Sequence, residues 1–162
     1  MDESDSMFPA ALLATDHQEL DGLFLEGEDA LHRGDVGGAH SALDRIWMRL
    51  AVHIRAEHKV LFPALAGSGA EWEGHLQTLR VDHDFFMAAL AVSLQALRGP
   101  VADLPSIEVS MQSVRDRLTA HNALEESRVY PLADSLPSKQ RQQMVGELAW
   151  ELAFLPDRYR RG

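Results

Sequence analysis

The sequence contains no cysteine, and this absence excludes several classes of protein. Without thiols the chain forms no disulfide, no thiolate metal site, no iron–sulfur cluster and no cysteine nucleophile. Any metal that binds to this chain must therefore use nitrogen and oxygen ligands.

Positive charge is scarce. The 162 residues include 15 Lys and Arg against 25 Asp and Glu, which gives a formal net charge of -10. Such an excess of negative charge argues against nucleic acid or an anionic membrane as the main partner. We therefore predict no nucleic-acid partner and no membrane partner.

Long apolar runs are also absent, since none approaches the roughly 18 residues that a membrane span requires. The chain starts with the acidic segment Met1-Asp2-Glu3-Ser4-Asp5, where a signal peptide would be basic. We therefore expect a cytoplasmic protein. A content of 46% apolar and 25% charged residues is typical of one globular domain, which we place over residues 1–162.

Apolar residues recur at steps of three and four in four long windows, and hardly any window alternates with period two. These windows cover residues 10–31, 39–64, 72–94 and 107–132. Glycine-containing breaks at 34, 67–69 and 99–100 separate them. The sequence predicts an all-α fold: an up-down-up-down antiparallel four-helix bundle over residues 8–134, with a short fifth helix over 137–155.

The second and fourth windows contain the same motif. The two copies are His53-x-x-x-Glu57 followed by Phe62-Pro63, and His121-x-x-x-Glu125 followed by Tyr130-Pro131. An Asp-His pair stands upstream of each copy, at 16–17 and 82–83. The sequence therefore predicts an internal repeat, in which a helix pair of about 67 residues occurs twice. In both copies the proline should end or kink its helix.

Six side chains that can bind metals fall on the apolar stripes rather than on the charged faces. They are His17, His53, Glu57, His83, His121 and Glu125. A carboxylate in an apolar core costs several kcal/mol unless it is protonated, paired or bound to metal, and no Lys or Arg lies on these stripes. Each histidine lies roughly 15 to 19 residues from a turn, so all four fall in one layer of the bundle.

Four imidazoles and two carboxylates that face one another would form a binuclear metal site. Each carboxylate could bridge two ions, and nitrogen and oxygen ligands without sulfur suit iron, manganese or zinc. The alternative is a set of hydrogen-bonded core histidines, with both glutamates solvated near one end of the bundle.

This order of residues resembles the hemerythrin-like, or HHE cation-binding, domain, a four-helix bundle that carries a non-haem di-iron centre. The blocks 57–63 and 125–131 strengthen the likeness, which covers roughly residues 8–134. The resemblance implies that the six residues bind two iron ions joined by an oxo or hydroxo group, with Glu57 and Glu125 as bridges. Zinc and manganese are the alternative ions. A ferritin-like site fits less well, because it uses a Glu-x-x-His spacing that is absent here.

The sequence departs from the oxygen-carrying hemerythrins at two places. Those proteins have a fifth histidine from a His-x-x-x-His pair on the third helix, but Leu79 and Met87 hold those positions around His83. Their last carboxylate comes five residues after its histidine, a place that Glu126 holds in this chain. We favour Glu125 as the ligand because a spacing of four keeps it on the inward stripe, and Glu126 is the alternative.

Three further residues have two interpretations. His58 and His75 could replace the missing histidine. Their positions around the helix face away from the apolar stripe, however, and favour a surface role or contact with a metal-binding residue. Tyr130 is interpreted either as a redox-active residue near the metals or as packing before a helix-ending proline.

A centre with six protein ligands leaves coordination positions open. We therefore expect a non-haem di-iron protein that binds or reacts with dioxygen, peroxide or nitric oxide in sensing, detoxification or iron handling. Turnover of peroxide or nitric oxide would make it an enzyme, although the sequence identifies no proton donor. The alternative is a helical module for protein–protein interaction, stapled by zinc or another redox-inert ion. A metal-free module leaves both glutamates unexplained, and a homodimer is compatible with either function.

Overall fold

The computed structural model describes residues 8–155, so the acidic start of the chain and its arginine-containing end lie outside the described residues. The helices are α1 (Pro9–His32), α2 (Val36–Ala56), α3 (Phe62–Ala64), α4 (Ala70–Leu97), α5 (Leu104–Leu124), α6 (Tyr130–Asp134) and α7 (Ser138–Leu152). Within this range no strand forms, so the predicted all-α fold class is confirmed for the described residues. No helix between residues 8 and 155 is long and apolar enough to cross a membrane.

Two π turns interrupt the helical windows that carry the repeated motif. The first, Glu57–Leu61, joins α2 to α3, and the second, Glu125–Val129, joins α5 to α6. Both π turns end just before a Phe-Pro or Tyr-Pro pair. The helices then stop within a few residues, at Ala64 and Asp134, so the prolines end their helices as predicted.

Short polar caps and a glycine define the first helix break. The amide of Gly34, with φ of +73°, donates to the Leu31 carbonyl at 3.1 Å and closes α1. The Asp35 side chain then accepts a hydrogen bond from the Gly38 amide at 2.9 Å and begins α2. The break predicted at residue 34 is therefore confirmed.

The long helices pack side by side around an interior with two apolar clusters. Helix α1 lies against α2 and α5, and α4 also lies against α2 and α5. The Phe86 cluster includes Leu20, Phe24, Leu43, Leu50, Phe86, Leu90, Met111 and Leu118. The Trp72 cluster includes Leu13, Ala56, Leu61, Phe62, Trp72, Leu79, Val129 and Tyr130. In each long helix the candidate ligand histidine falls between residues of these two clusters, so the candidate site is enclosed from both sides.

The last helix covers one end of this arrangement. Helix α7 packs on α1, α2 and the first π turn, and it buries Met144 and Leu148 in the Trp72 cluster. It ends at Leu152, three residues before the predicted boundary at 155. Leu155 precedes a proline, a position that disfavours helical backbone, and its side chain packs against Val52.

Candidate metal centre

All six predicted ligands lie in the interior, and each is at most 4% exposed. Their donor atoms form two groups, and within each group all of the donor atoms lie within 4.8 Å of one another. The first group, which we call the four-donor group, contains Glu57, His83, His121 and Glu125. The second, the three-donor group, contains His17, His53 and Glu125. Glu125 belongs to both groups, which is the arrangement expected of a bridging carboxylate.

Glu125 connects histidines from different helices. Its Oε1 lies 3.4 Å from Nε2 of His17 on α1 and 3.2 Å from Nε2 of His121 on α5. The Nε2 atoms of His17 and His53 lie 3.2 Å apart. Two imidazole nitrogens at this separation share either a proton or a cation, because two lone pairs facing each other would repel.

Glu57 makes the equivalent connection on the other side. Its Oε1 lies 3.5 Å from Nε2 of His53 and 3.4 Å from Nε2 of His83. Both glutamates therefore contact one histidine from each copy of the repeated unit. This crosswise pattern would let two carboxylates join two ions.

Several polar atoms of this cluster have no hydrogen bond to any described residue although they are fully buried. They are Oε1 of Glu57, both carboxylate oxygens of Glu125 and Nε2 of His83. A buried polar atom without a hydrogen bond is costly, so these atoms point to an external cation as their partner. Imidazole nitrogens and carboxylate oxygens suit iron, manganese and zinc, so the residues fit a binuclear cation site.

The outer nitrogens of two histidines are held by aspartates. The Nδ1–H of His53 donates to Asp16 at 2.7 Å, and the Nδ1–H of His121 donates to Asp82 at 3.0 Å. Such a bond fixes the tautomer and turns the Nε2 lone pair toward the interior, as in carboxylate–histidine–metal arrangements.

Two arginines extend these contacts toward the surface. Arg49 donates to Asp16 at 3.1 Å, and Arg117 donates to Asp82 at 2.8 Å. Burial would raise the pKa of Asp16, but the hydrogen bond and charge of His53, followed by those of Arg49, hold its pKa below its usual value. The sequence alone did not reveal a role for these aspartates and arginines. The repeated Asp-His pairs, and an arginine four residues before each motif histidine, were the available signal.

The other two histidines also have partners on Nδ1. Nδ1 of His17 lies 3.4 Å from a carboxylate oxygen of Glu126, and Nδ1 of His83 lies 2.9 Å from Nε2 of His58. Neither Glu126 nor His58 belongs to the donor groups, so both contact a candidate ligand instead of replacing one. His75 lies outside these groups too, at 3.5 Å from Glu71 on the same helix.

The π turns position the residues that follow each glutamate. The Phe62 amide donates to the Glu57 carbonyl and the Tyr130 amide to the Glu125 carbonyl, so both bonds span five residues. A regular helix would place a proline ring one residue later against the carbonyl four residues before it, and the wider turn relieves that clash. The extra residue also rotates the next side chain, so Tyr130 follows Glu125 on nearly the same face.

Tyr130 reaches the candidate site. Its hydroxyl donates to Oε2 of Glu57 at 3.0 Å and lies 3.1 Å from Nε2 of His17. Burial, and then the charges of Glu125 and Glu57, raise the pKa of Tyr130 well above its usual value. The interpretation of Tyr130 as a residue near the metal ligands thus agrees with its position, although it also packs in the Trp72 cluster.

The carboxylates strongly perturb the protonation of the cluster. Burial raises the pKa of Glu57, and the charge of Glu125 raises it further. Burial also disfavours ionised Glu125, yet its contacts with Glu57 and His121 hold its pKa well below the usual value. For His53, burial lowers the pKa, but the charge of Glu57 and the bond to Asp16 raise it to about 9. A cation that enters this site must therefore displace protons.

Comparison with known proteins identifies the family. The hemerythrin family, described as the hemerythrin HHE cation-binding domain, matches residues 9–133, a range that contains all six predicted ligands. Searches of curated proteins and of solved structures gave no match. The family match confirms the resemblance seen in the sequence, and the buried His/Glu cluster could hold a metal. The chain therefore belongs to the hemerythrin HHE cation-binding domain family.

Proposed function

We propose that the chain is a non-haem di-iron protein that binds or reacts with dioxygen, peroxide or nitric oxide. One observation carries this proposal: Oε1 of Glu57 and both carboxylate oxygens of Glu125 are buried among four histidines without a hydrogen bond from any residue between 8 and 155. Two cations would compensate these carboxylates, and iron suits the nitrogen and oxygen donors.

The protein contributes orientation, enclosure and proton placement. Iron, when bound, supplies a redox-active Lewis acid with exchangeable positions. Asp16 and Asp82 hold two of the imidazole rings, and the Phe86 and Trp72 clusters exclude water from both sides. The Tyr130 hydroxyl donates a hydrogen bond to Oε2 of Glu57, with 3.0 Å between the two oxygens, so it would place a proton beside that carboxylate.

The third helical window supports open coordination positions. Leu79 and Met87, four residues on either side of His83, belong to or pack against the apolar clusters, and neither supplies a nitrogen or oxygen donor from its side chain. We therefore propose these six residues as the histidine and glutamate ligands. Open positions favour reaction with a small oxidant over storage of a saturated ion pair.

We also propose the up-down-up-down antiparallel topology. Its support is the order of contacts between neighbouring helices: Arg45 contacts Glu26 while His53 contacts Asp16, so residue numbers rise on α2 as they fall on α1. A cytoplasmic location, the absence of nucleic-acid and membrane partners, and a homodimer belong to the same proposal and rest on the sequence alone.

Metal analysis tests the di-iron proposal directly. Protein reconstituted with ferrous iron and exposed to air should hold about two irons per chain and develop the spectrum of an oxo-bridged diferric pair. The variant His121→Ala should lose this spectrum, whereas His32→Ala changes an exposed histidine at the end of α1 and should keep it. Fewer than about one iron per wild-type chain after reconstitution would overturn the proposal.

A peroxide-consumption assay separates turnover from binding. Wild type and His32→Ala should consume peroxide faster than His121→Ala, because His121 is one of the residues that would hold iron and His32 is not. Equal rates in all three proteins would remove the site from the reaction.

A second function is supported by the surface at the end of α7 and just after it. Trp150 and Phe154 are 68% and 52% exposed, and their rings lie 5.7 Å apart. Exposed aromatic residues favour protein–protein contact, and the same donor set accepts zinc. If protein isolated without added metal holds zinc and resists replacement by iron under anaerobic conditions, this zinc-stapled interaction module replaces the di-iron proposal.

A further inference from the structure

The two donor groups are unequal. The four-donor group contains two histidines and both glutamates, whereas the three-donor group contains His17, His53 and Glu125. Tyr130, which is fully buried, places its hydroxyl beside the smaller group.

The Tyr130 oxygen lies at the spacing of a ligand. It is 3.1 Å from Nε2 of His17 and 3.5 Å from Nε2 of His53, and these nitrogens are 3.2 Å apart. Donors that share one ion through bonds of about 2.1 Å lie about 3.0 to 3.4 Å from one another. Two of the three separations fall in this range and the third, 3.5 Å, lies just above it, so the three atoms form a triangle close to the size that one ion requires.

We propose that the Tyr130 hydroxyl is a metal ligand, the fourth donor beside His17, His53 and Glu125. This inference rests on the proposed di-iron function and makes the two iron positions chemically different. On binding, the O–H bond breaks, an oxygen–iron bond forms and the proton leaves to solvent, as metal binding generally releases ligand protons.

The repeated motif provides an internal reference for this role. Phe62 occupies the position after the first π turn that Tyr130 occupies after the second. The Phe62 ring stacks on His83, with centroids 6.1 Å apart and planes 11° from parallel. Phe62 therefore fills the equivalent place by packing alone, and the four-donor group it faces already has both carboxylates.

The surroundings of Tyr130 are consistent with binding. The hydroxyl donates to Oε2 of Glu57, so the neutral phenol has a hydrogen-bond partner. A bound cation reverses the local charge that two carboxylates create and favours an anionic oxygen. If the hydroxyl remains a hydrogen-bond donor to Glu57 in the loaded protein, the ligand assignment is wrong.

Resonance Raman spectroscopy of the ferric protein distinguishes these two roles. A phenolate bound to ferric iron gives a visible charge-transfer band, and excitation in that band enhances the ring vibrations of the bound tyrosine. Wild type should show these vibrations, and ring-deuterated tyrosine should shift them. Tyr130→Phe removes one oxygen and reproduces the Phe62 side, so it should abolish them.

The other tyrosine of the chain provides the matched control. The sequence contains two tyrosines, and Tyr159 lies outside the described residues. Tyr159→Phe should keep the phenolate vibrations. Their survival in Tyr130→Phe, or their loss in Tyr159→Phe, would overturn the assignment.

Iron content separates failure of this inference from failure of the proposed function. Wild type that holds about two irons without phenolate vibrations keeps the di-iron proposal and overturns the Tyr130 assignment. Wild type that binds no iron overturns both. The wild-type spectrum alone shows whether a phenolate binds iron, so the inference can be tested even if Tyr130→Phe folds poorly.

Discussion

The two halves of the molecule, α1 to α3 and α4 to α6, place equivalent residues around the candidate site. In each half an aspartate holds the motif histidine of the same half, and an arginine four residues earlier holds that aspartate. The motif glutamates then contact histidines of both halves. A repeated unit can therefore build a shared site because each copy supplies donors that the other copy completes.

The halves differ at two equivalent positions. The residue after Glu57 is His58, which contacts His83, whereas the residue after Glu125 is Glu126, which contacts His17. The aromatic residue after each π turn also differs. One half is therefore neutral and apolar where the other carries a carboxylate and a hydroxyl, so the symmetry of the backbone does not extend to the chemistry.

The largest expected effect comes from removing the cations that join the halves. Chelation leaves the carboxylates of Glu57 and Glu125 facing each other in an apolar interior. A ligand present at about 1,000 times its Kd contributes about 4 kcal/mol, so Tm should fall on the order of 10 °C. Thermal unfolding with and without chelator measures this, and an unchanged Tm would contradict a metal that joins the two halves.

The next prediction compares the two glutamates. Glu125 belongs to both donor groups and Glu57 to one, so Glu125→Ala should lose nearly all iron while Glu57→Ala retains about one ion per chain. Elemental analysis after reconstitution measures both variants. Equal losses would show that the two carboxylates act as equivalent bridges.

A smaller effect is expected from the aspartates. Asp16→Asn and Asp82→Asn should each weaken metal binding by about 10-fold to 100-fold, because each removes the acceptor that orients an imidazole. Titration of Co²⁺ against a competing chelator gives the affinities. Asp116→Asn, an exposed change on α5 beside Gln112, is the control and should bind as wild type does. Unequal losses in the two aspartate variants would show that the halves do not contribute equally.

The smallest effect is expected at the positions where the halves differ. Glu126→Gln removes a charge that is 46% exposed, so it should change metal affinity less than about 10-fold, and the change should shrink with salt. His58→Gln retains a neutral partner for His83, and its effect should not depend on salt. The same titrations at low and high salt distinguish the two, and a salt-dependent His58→Gln would contradict the assignment of a neutral partner.

Much of the fold could be predicted because the physical signal is local. The apolar period identifies the long helices, Gly34 and Asp35 identify a break, and Pro63 and Pro131 identify helix ends. The predicted end of the last helix lies too late in the sequence. The apolar periodicity continues past Leu152, whereas the helical backbone ends there.

The candidate site could be predicted in part. Position on an apolar stripe and distance from the turns singled out all six buried residues, and their role as metal ligands stays a prediction. The aspartate and arginine partners could not be assigned, because their contacts cross between helices. Their roles depend on helix rotation and register, which one sequence does not contain.

By itself, the sequence determined which residues enter the interior and which types of atom can bind a metal. The helical period of the apolar residues and the cost of burying a charge select four histidines and two glutamates, and the lack of cysteine limits the donors to nitrogen and oxygen. Only the tertiary structure decided how those donors divide into two groups and that Tyr130 lies beside the smaller one. The reason is the π turn after Glu125. One extra residue in a helix turns every following side chain by about 100°, and a periodic pattern that continues on both sides does not reveal that shift.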